Sequence, residues 1–353
     1  MRKMKLWSNH LSESILLQLI LFTMNWRRKK IKEATEPQRL FMENGSILLQ
    51  ELVKCCNGKT NPITTYSPDQ ILKTTNNFNK SNLVGKDDCD YHYYRGTLDN
   101  DDNRLVMIKK KAYGGRHVRK ICRDISVSSM VSGHKNFLKL LGCCLELTCP
   151  ALVCEYAESI TVNAHHQIDP TLTWNKRIQI ARDISNSLAY LHTAFSTTFI
   201  HRNVHPRNVF LDVKGVAKLG DFRNCVTIPQ GESFVREYKL EGTYGYLDPN
   251  YMSKGMITEN VDVYGFGVFM LVLLSRRTPG LDDELHPDFL TRLVEDGRFV
   301  EILDPVMLEG DFGEGELCRM EAFFLLSLKC IGLRGEVPEM MEVSKELKRI
   351  ERS

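Results

Sequence analysis

The periodicity of the apolar residues changes near Pro170, about half-way along the chain. Ahead of it, residues 83–156 contain short apolar runs separated by turns, and Leu105–Lys109 and Leu152–Tyr156 are typical of strands. The segment Arg119–Val131 between them favours a helix. The first half of the chain is therefore expected to be rich in strands.

Beyond Pro170 the apolar residues recur with helical spacing, as in Ile178–Leu191 and Met340–Ile350. Residues Val261–Leu274 are apolar on nearly every side, but the run is too short for a membrane span and predicts a buried helix. A strand-rich part followed by a helix-rich part implies an α+β fold of two packed lobes.

Composition limits the classes of function. Apolar residues make up 42% of the 353 residues, which excludes a disordered chain, and the net charge of +3 gives no reason to expect a nucleic-acid partner. The eleven cysteines include no C-x-x-C pair, so neither a zinc site nor a disulfide framework is indicated. We infer a reducing compartment such as the cytoplasm, with Cys55 and Cys56 either acylated or, as we favour, buried.

The first residues combine an apolar segment with a basic cluster. Ile15–Trp26 is mainly apolar and is followed by Arg27–Lys30, so residues 1–45 form a basic leader. Two interpretations fit this leader. One is a shallow anchor at the inner face of the plasma membrane, with the basic residues facing anionic lipid. The other is a packing helix or a poorly ordered tail.

Two polar motifs carry the most specific signal in the sequence. Residues 199–212 read FIHRNVHPRNVFLD, and residues 218–223 read KLGDFR. They resemble the catalytic loop and the metal-binding loop of protein kinases, whose patterns are H-R-D-x-x-x-x-N and D-F-G. Three further motifs stand where the order of kinase motifs requires them: VMIK at 106–109, GTYGYLDP at 242–249 and DVYGFG at 262–267.

The chain resembles one branch of the kinase superfamily in particular, and this resemblance extends over about residues 64–352. The stretches LLGCCLE at 140–146, LAYLHTAF at 188–195 and GTYGYLDPNY at 242–251 are similar to plant receptor-like kinases of the wall-associated branch. On these motifs the chain is identified as a member of the ZRK group, which are receptor-like cytoplasmic pseudokinases and adaptors for plant NLR immune receptors.

Membership of this group implies a two-lobed protein-kinase fold. We expect a pre-kinase extension at 46–82 after the leader. The N-lobe at 83–157 would contain an antiparallel sheet and one helix. The C-lobe at 158–353 would be mainly helical.

The catalytic loop lacks the group that accepts the proton. After His201-Arg202 the family has an aspartate, whereas this chain has Asn203, whose amide is not basic at neutral pH. Losing a general base typically slows a reaction by about 10²–10⁴-fold. His205 stands where the family has a lysine, and a mostly neutral imidazole stabilises phosphate charge less well. No catalytic residue is expected to be intact.

The glycine-rich loop that covers ATP in kinases is also altered. Gly85 is present, but the second and third glycines are missing, and Asp87, Asp88 and Asp90 occupy the loop. Two unit charges 4 Å apart interact by about 1 kcal/mol in water and by about 4 kcal/mol at an effective dielectric constant of 20. These carboxylates are expected to oppose a triphosphate, unless the hairpin simply lies in solvent.

Some ligand positions of the family survive. The resemblance assigns any residual nucleotide binding to Gly85, Lys109, Glu155 and Ala157. It assigns any Mg²⁺ to Asn208 and Asp221, which are oxygen donors suited to a hard cation. Because Arg223 replaces the glycine after Phe222 and adds a cation, ATP and Mg²⁺ are expected to bind weakly and not to be required.

The lysine of VMIK has an unusual choice of partners. In kinases it pairs with a helix glutamate, but the only acid in the corresponding region is Asp124. Either Lys109 pairs with Asp124 or it is solvated at the end of a strand, and Asp221 could instead pair with Lys109 or Arg223.

A run of basic residues precedes and enters the first-lobe helix. Its members are Lys109, Lys110, Lys111, Arg116, His117, Arg119, Lys120 and Arg123. It could meet an acidic partner or lipid, or, as we favour, form a solvated helix face.

These features predict a pseudokinase that works as an adaptor. The resemblance implies an NLR immune receptor and receptor-like cytoplasmic kinases as partners in plant defence. Two alternatives stay open: a low-activity serine/threonine kinase, and a sensor that binds ATP without turnover.

Restoring the missing carboxylate alone is predicted not to restore catalysis. In Asn203→Asp the acidic loop and the absent helix glutamate remain, so a radiolabelled ATP assay should give the same incorporation as the unmodified chain. Robust kinase activity in this single variant would contradict the expectation that the acidic loop and the absent helix glutamate also prevent catalysis.

Overall fold

The first lobe is organised around a six-stranded sheet. The computed structural model describes residues 35–56, 58, 61–86, 91–98, 103–112, 117–161, 167–280, 285–309 and 313–353. The strands of the sheet are β1 (Thr64–Thr65), β2 (Leu83–Lys86), β3 (Tyr91–Leu98), β4 (Arg104–Lys111), β5 (Leu140–Cys144) and β6 (Ala151–Glu155). They lie in the order β1-β5-β6-β4-β3-β2, and neighbours are antiparallel except for β1 and β5. The strands expected at Leu105–Lys109 and Leu152–Tyr156 are confirmed as β4 and β6.

Three helices accompany this sheet. They are α1 (Glu36–Cys56), α2 (Pro68–Thr74) and α3 (Val118–Val131). Helix α2 starts at Pro68 behind Ser67, whose hydroxyl accepts a hydrogen bond from Gln70 N. Helix α3 buries Ile121 and Ile125 in the same core as the inner side chains of β3 and β4. The single N-lobe helix that the sequence predicts is α3.

The second lobe is mainly helical, as expected. Its helices are α4 (Trp174–Thr193), α5 (Pro249–Lys254), α6 (Asn260–Ser275), α7 (Pro287–Glu295), α8 (Pro305–Leu308), α9 (Glu314–Cys330) and α10 (Met340–Arg352). Its short strands are β7 (Ala157–Ser159), β8 (Thr198–Ile200), β9 (Val209–Asp212), β10 (Ala217–Leu219), β11 (Val226–Ile228), β12 (Val235–Arg236) and β13 (Met256–Ile257). Helix α6 is buried along nearly its whole length, which confirms the predicted core helix.

Within the described ranges, no helix combines the length and the apolar character that crossing a bilayer requires. The apolar leader segment Ile15–Trp26 and its basic cluster lie outside the described residues.

Helix α1 packs on the first lobe and was not predicted. It is continuous through residue 45, where the sequence analysis placed the boundary between leader and extension. Leu40 and Leu48 are buried, and the Asn44 side-chain amide donates hydrogen bonds to Leu145 O (2.7 Å) and Leu147 O (2.9 Å). These two bonds tie the helix to the chain that follows β5.

A buried ion pair joins α1 to α3. Glu51 is 0% exposed, and its carboxylate accepts hydrogen bonds from Arg119 Nη1 (2.9 Å) and Arg123 Nε (3.0 Å). Cys55 and Cys56 are buried beside it, as favoured, and burial raises the pKa of the Cys56 thiol to about 12. Both arginines contact α1, but only the side chain of Arg123 is largely buried, so the prediction of a solvated helix face was wrong for Arg123 and holds for Arg119, whose side chain is 59% exposed.

Removing the buried charge of α1 is predicted to destabilise the chain. Glu51→Gln leaves Arg123 without its carboxylate, and because Arg119 is half-exposed we expect a loss of about 2 kcal/mol, below the usual range for a fully buried pair. Denaturant unfolding measures it. The control is Glu36→Gln, which breaks an exposed pair with Arg39 and should leave stability nearly unchanged. Equal effects of the two substitutions would contradict this role for Glu51.

Candidate functional site

Four buried ions meet in the cleft between the lobes. Lys109 stands on β4, Asp124 on α3, and Asp221 and Arg223 follow β10. Lys109 Nζ donates to Asp124 Oδ2 (2.8 Å) and to Asp221 Oδ1 (3.0 Å). Burial would lower the pKa of Lys109, but the two carboxylates raise it well above its ordinary value, so the lysine is charged. The Lys109–Asp124 pair, which the sequence left open, is present.

Asp124 also holds the start of the metal-binding loop. Its Oδ1 accepts a hydrogen bond from Phe222 N (2.9 Å) and one from Ser128 Oγ (3.3 Å). Aspartate is one methylene shorter than glutamate, yet α3 lies close enough for both Lys109 and the loop to reach it. Asp124, which stands in for the glutamate of other kinases, thus fixes helix α3 against the cleft.

Arg223 forms a two-point bond with Asp221. Its Nε donates to Asp221 Oδ1 (2.6 Å) and its Nη2 to Asp221 Oδ2 (2.6 Å). The guanidinium lies 4.0 Å from the centre of the Tyr91 ring on β3, a cation–π distance. Burial would raise the pKa of Asp221, but Arg223 and Lys109 lower it well below its ordinary value.

Asp221, one of the two metal-ligand positions of the family, does not fit a metal ion in this arrangement. Both carboxylate oxygens of Asp221 already bind cationic side chains. The Asn208 amide nitrogen donates to Asn203 O (2.8 Å), which holds the side chain in the loop but does not involve the side-chain oxygen, the atom that would bind a metal. A hard cation would have to displace the Arg223 guanidinium from the carboxylate.

The space for a nucleotide base is filled by side chains. A cavity lined by residues that include Lys109 and Asp221 has a volume of about 10 Å³, room for about one water molecule, whereas small-molecule pockets usually measure roughly 300–1,000 Å³. Tyr93 and Phe210 pack across it with ring centres 5.8 Å apart, and Met107 is 1% exposed. These side chains leave little room for a nucleotide base in the described part of the cleft.

Sequence reasoning missed these three large side chains. The signal for Met107 was available, because VMIK at 106–109 has methionine where the kinase pattern V-A-I-K has alanine. Tyr93 and Phe210 meet across strands β3 and β9, which are far apart in the sequence, so their contact requires the fold.

The other predicted nucleotide positions lie around the same cleft. Gly85 is on β2 opposite Tyr93. The Glu155 carboxylate binds Lys218 Nζ (3.0 Å), and Ala157 is buried on β7 opposite Asp212. The structure thus brings the positions together, but it does not test whether they bind ATP. Asp87, Asp88 and Asp90 lie outside the described residues, and their repulsion of a triphosphate stays a prediction.

The degenerate catalytic positions are buried and engaged. Asn203 Oδ1 accepts a hydrogen bond from Thr243 Oγ1 (2.8 Å). Its amide oxygen therefore points to the activation segment, the chain that runs from the metal-binding loop to GTYGYLDP at 242–249. The ring of His205 lies 5.7 Å from that of Tyr246. Neither residue supplies a carboxylate or a lysine.

The scaffold around the lost chemistry is retained. Asp262 of α6 accepts hydrogen bonds from His201 N (2.7 Å) and Arg202 N (2.8 Å), which holds the catalytic loop. The ring of Phe222 lies 5.3 Å from that of His201 and 5.7 Å from that of Phe137. These ring contacts pack the catalytic loop and the metal-binding loop against each other and against Phe137.

Two ion pairs hold the activation segment against the rest of the molecule. Arg202 Nη1 binds Glu237 (2.6 Å), and Lys120 of α3 binds Glu241 (2.6 Å). Lys120 thus joins Arg119 and Arg123 among the basic residues that have partners within the chain.

Comparison with known proteins places the chain in a family. A protein kinase domain model matches residues 95–296. The serine/threonine-protein kinase ZRK4 of Arabidopsis thaliana is 47% identical over 93% of this chain and 97% of its own length. The chain belongs to the ZRK group of the protein kinase family.

Relatives in the ZRK group are named both as kinases and as pseudokinases. The non-functional pseudokinase ZRK6 of Arabidopsis thaliana is 44% identical over 94% of this chain and 96% of its own length. The non-functional pseudokinase ZED1 of the same plant is 42% identical over 91% and 99%. These relatives support the prediction that this ZRK chain is a pseudokinase, although ZRK4 is named as a kinase.

Magnesium and ATP together are predicted to leave the melting temperature unchanged. Because Arg223 and the filled cavity exclude them, 5 mM Mg–ATP should raise Tm by less than about 1 °C, the effect of a ligand at or below its Kd. Thermal unfolding measures this, with Mg²⁺ alone as the control for ionic effects. A rise of several degrees that requires both components would show that the cleft opens to nucleotide.

Proposed function

We propose that this ZRK chain is a non-catalytic adaptor that links an NLR immune receptor to a partner kinase in plant defence, in the cytoplasm. Membership of the ZRK group supports the pseudokinase part of the proposal. The resemblance to ZRK adaptors supplies the two classes of partner. An adaptor needs two accessible surfaces and no chemistry, so the described surface can be searched for them.

The observation that carries the proposal is a second apolar face on helix α1. Phe41, Leu49 and Val53 are exposed by 38%, 45% and 37%. They recur at multiples of four residues and so form a stripe that drifts by about 40° per step and covers about a third of the helix circumference, away from the side that packs on the first lobe. The stripe is about 18 Å long at a rise of 1.5 Å per residue.

The apolar part of α1 is wider than its contact with the first lobe requires. A surface helix normally has one apolar stripe and a polar opposite face. Here the polar side is left to residues such as Arg39, Glu43 and Lys54. Exposed apolar side chains in one continuous patch are typical of protein interfaces, and we assign this stripe to the receptor.

A second accessible surface lies on the activation segment. Tyr238 is fully exposed, and Tyr244 and Leu240 are exposed by 74% and 43%. The ion pairs Arg202–Glu237 and Lys120–Glu241 flank Tyr238 and Leu240 and hold the backbone that carries these two side chains. Exposed aromatic side chains on a backbone that is already held in place are effective anchors, because less ordering of the chain is needed on binding. We assign this surface to the partner kinase.

A charge placed in the α1 stripe is predicted to remove receptor binding. In leaves that co-express the chain with each of a panel of NLR receptors, Leu49→Glu should weaken co-purification of the cognate receptor by at least roughly tenfold. Gln50→Glu, which adds the same charge at the next residue, should bind normally. Both variants should keep the wild-type melting temperature, because both positions are exposed.

Two outcomes would contradict this assignment. Equal receptor binding by Leu49→Glu and the unmodified chain would remove the stripe from the interface. A panel in which every receptor fails to bind even the unmodified chain would remove NLR receptors as the partner class.

A weak serine/threonine kinase is the second candidate, because the relative ZRK4 is named as one. It requires the side chains that fill the cleft to move, and it predicts phosphate incorporation that disappears in Lys109→Ala. A sensor that binds ATP without turnover requires the same movement and predicts nucleotide binding without incorporation.

A further inference from the structure

We propose that the Arg223 guanidinium replaces the metal–nucleotide complex as the cation that holds the two lobes and helix α1 in one arrangement. The inference goes beyond the adaptor function, because it concerns how the binding surfaces are kept in place. It does not depend on which partner binds α1.

The first step of the argument is the balance of charge in the cleft. Asp124 and Asp221 carry two negative charges, and Lys109 and Arg223 carry two positive charges, all of them at least nine-tenths buried. A neutral residue at 223 would leave one uncompensated negative charge in a desolvated site, which is strongly unfavourable. A kinase with a small neutral residue there meets this requirement with bound divalent cations. This chain meets it with its own side chain.

The second step is the geometry of the guanidinium. Its planar fork gives Asp221 two hydrogen bonds of 2.6 Å, the bidentate arrangement that arginine favours with carboxylates. Its face lies 4.0 Å from the Tyr91 ring of the first-lobe sheet. One side chain therefore contacts the loop of the second lobe and the sheet of the first.

The third step is the connection from the cleft to α1. Lys109 links Asp221 to Asp124 on α3. The preceding residue on α3, Arg123, binds Glu51 of α1 and also donates from Nη1 to Cys225 O (3.3 Å). Two paths of buried polar contacts thus run from the segment that carries Arg223 through α3 to the helix with the exposed stripe.

It follows that the surface of α1 is held in place without nucleotide. In a nucleotide-dependent protein the orientation of α3 would vary with the bound ligand. Here the ion that orders the cleft is covalently part of the chain and is always present.

The test compares three variants of the full-length chain with the unmodified protein. Arg223→Ala removes the cation, and Arg223→Lys keeps the charge but loses the two-point bond. Arg298→Ala is the control, because Arg298 makes a similar two-point bond to Glu301 on an exposed surface. Each protein is measured with and without 10 mM Mn²⁺, by thermal unfolding and by hydrogen exchange of the α1 amides.

The expected results show whether Arg223 acts as a substitute for a bound cation or only as a packing residue. Arg223→Ala should lower Tm by roughly 5 °C and speed exchange in α1, and Mn²⁺ should reverse a large part of both effects because the Asp221 carboxylate is freed from the guanidinium. Arg223→Lys should lower Tm less and should not respond to Mn²⁺, because its charge remains. The unmodified chain and Arg298→Ala should show neither change.

Three outcomes would overturn the proposal. One is a Tm and an α1 exchange rate that do not change in Arg223→Ala. Another is a destabilised Arg223→Ala that Mn²⁺ does not rescue, which would make Arg223 a packing residue only. The last is stabilisation of the unmodified chain by Mn²⁺. If Arg223→Ala does not fold, Arg223→Lys decides the question: a Tm equal to that of the unmodified chain, or a response to Mn²⁺, contradicts the proposal. None of these outcomes bears on receptor binding, which Leu49→Glu tests separately.

Discussion

The arrangement of the cleft depends on the pairing of Asp221 with two buried cations. A carboxylate in this position must have a compensating charge, since an isolated buried ion is very unfavourable. Lys109 and Arg223 provide it, and Lys109 in turn requires Asp124, which fixes α3 against the loop. One electrostatic requirement thus determines the position of a loop, a strand end and a helix. The same pairing leaves no free carboxylate oxygen on Asp221 for a metal.

Loss of chemistry and retention of the fold have different physical causes here. Phosphoryl transfer needs a carboxylate at position 203, an accessible metal ligand and space for a nucleotide. The first is absent from the sequence, the second is occupied by Arg223, and the third is filled by Met107, Tyr93 and Phe210. The fold needs only packing and satisfied polar groups, which Asp262 and the Phe222–His201 contact still provide. A binding surface can therefore persist on a scaffold whose catalytic cleft has closed.

The sequence predicted the architecture well because the spacing of apolar residues and the local motifs indicate most of the helices and strands. Apolar spacing located β4, β6, α3 and α6, and the motifs around His201 and Asp221 identified the kinase fold. It left the partner of Lys109 open, because the reach of Asp124 depends on where α3 lies. It missed α1, because Asn44 and Glu51 interrupt the apolar pattern of that helix with polar residues. Their burial is explained only by the fold, which places Leu145 O opposite Asn44 and the arginines of α3 opposite Glu51. Local periodicity gives no information about contacts between segments that are distant in the sequence.

The most direct measurement of the central claim is a crystal structure of the full-length chain grown with 10 mM magnesium and a non-hydrolysable ATP analogue. Our account predicts that the Arg223 guanidinium stays on Asp221 and that no nucleotide density lies between Tyr93 and Phe210. Density for a triphosphate with a metal ion on Asp221, and with Arg223 turned out of the cleft, would contradict the account.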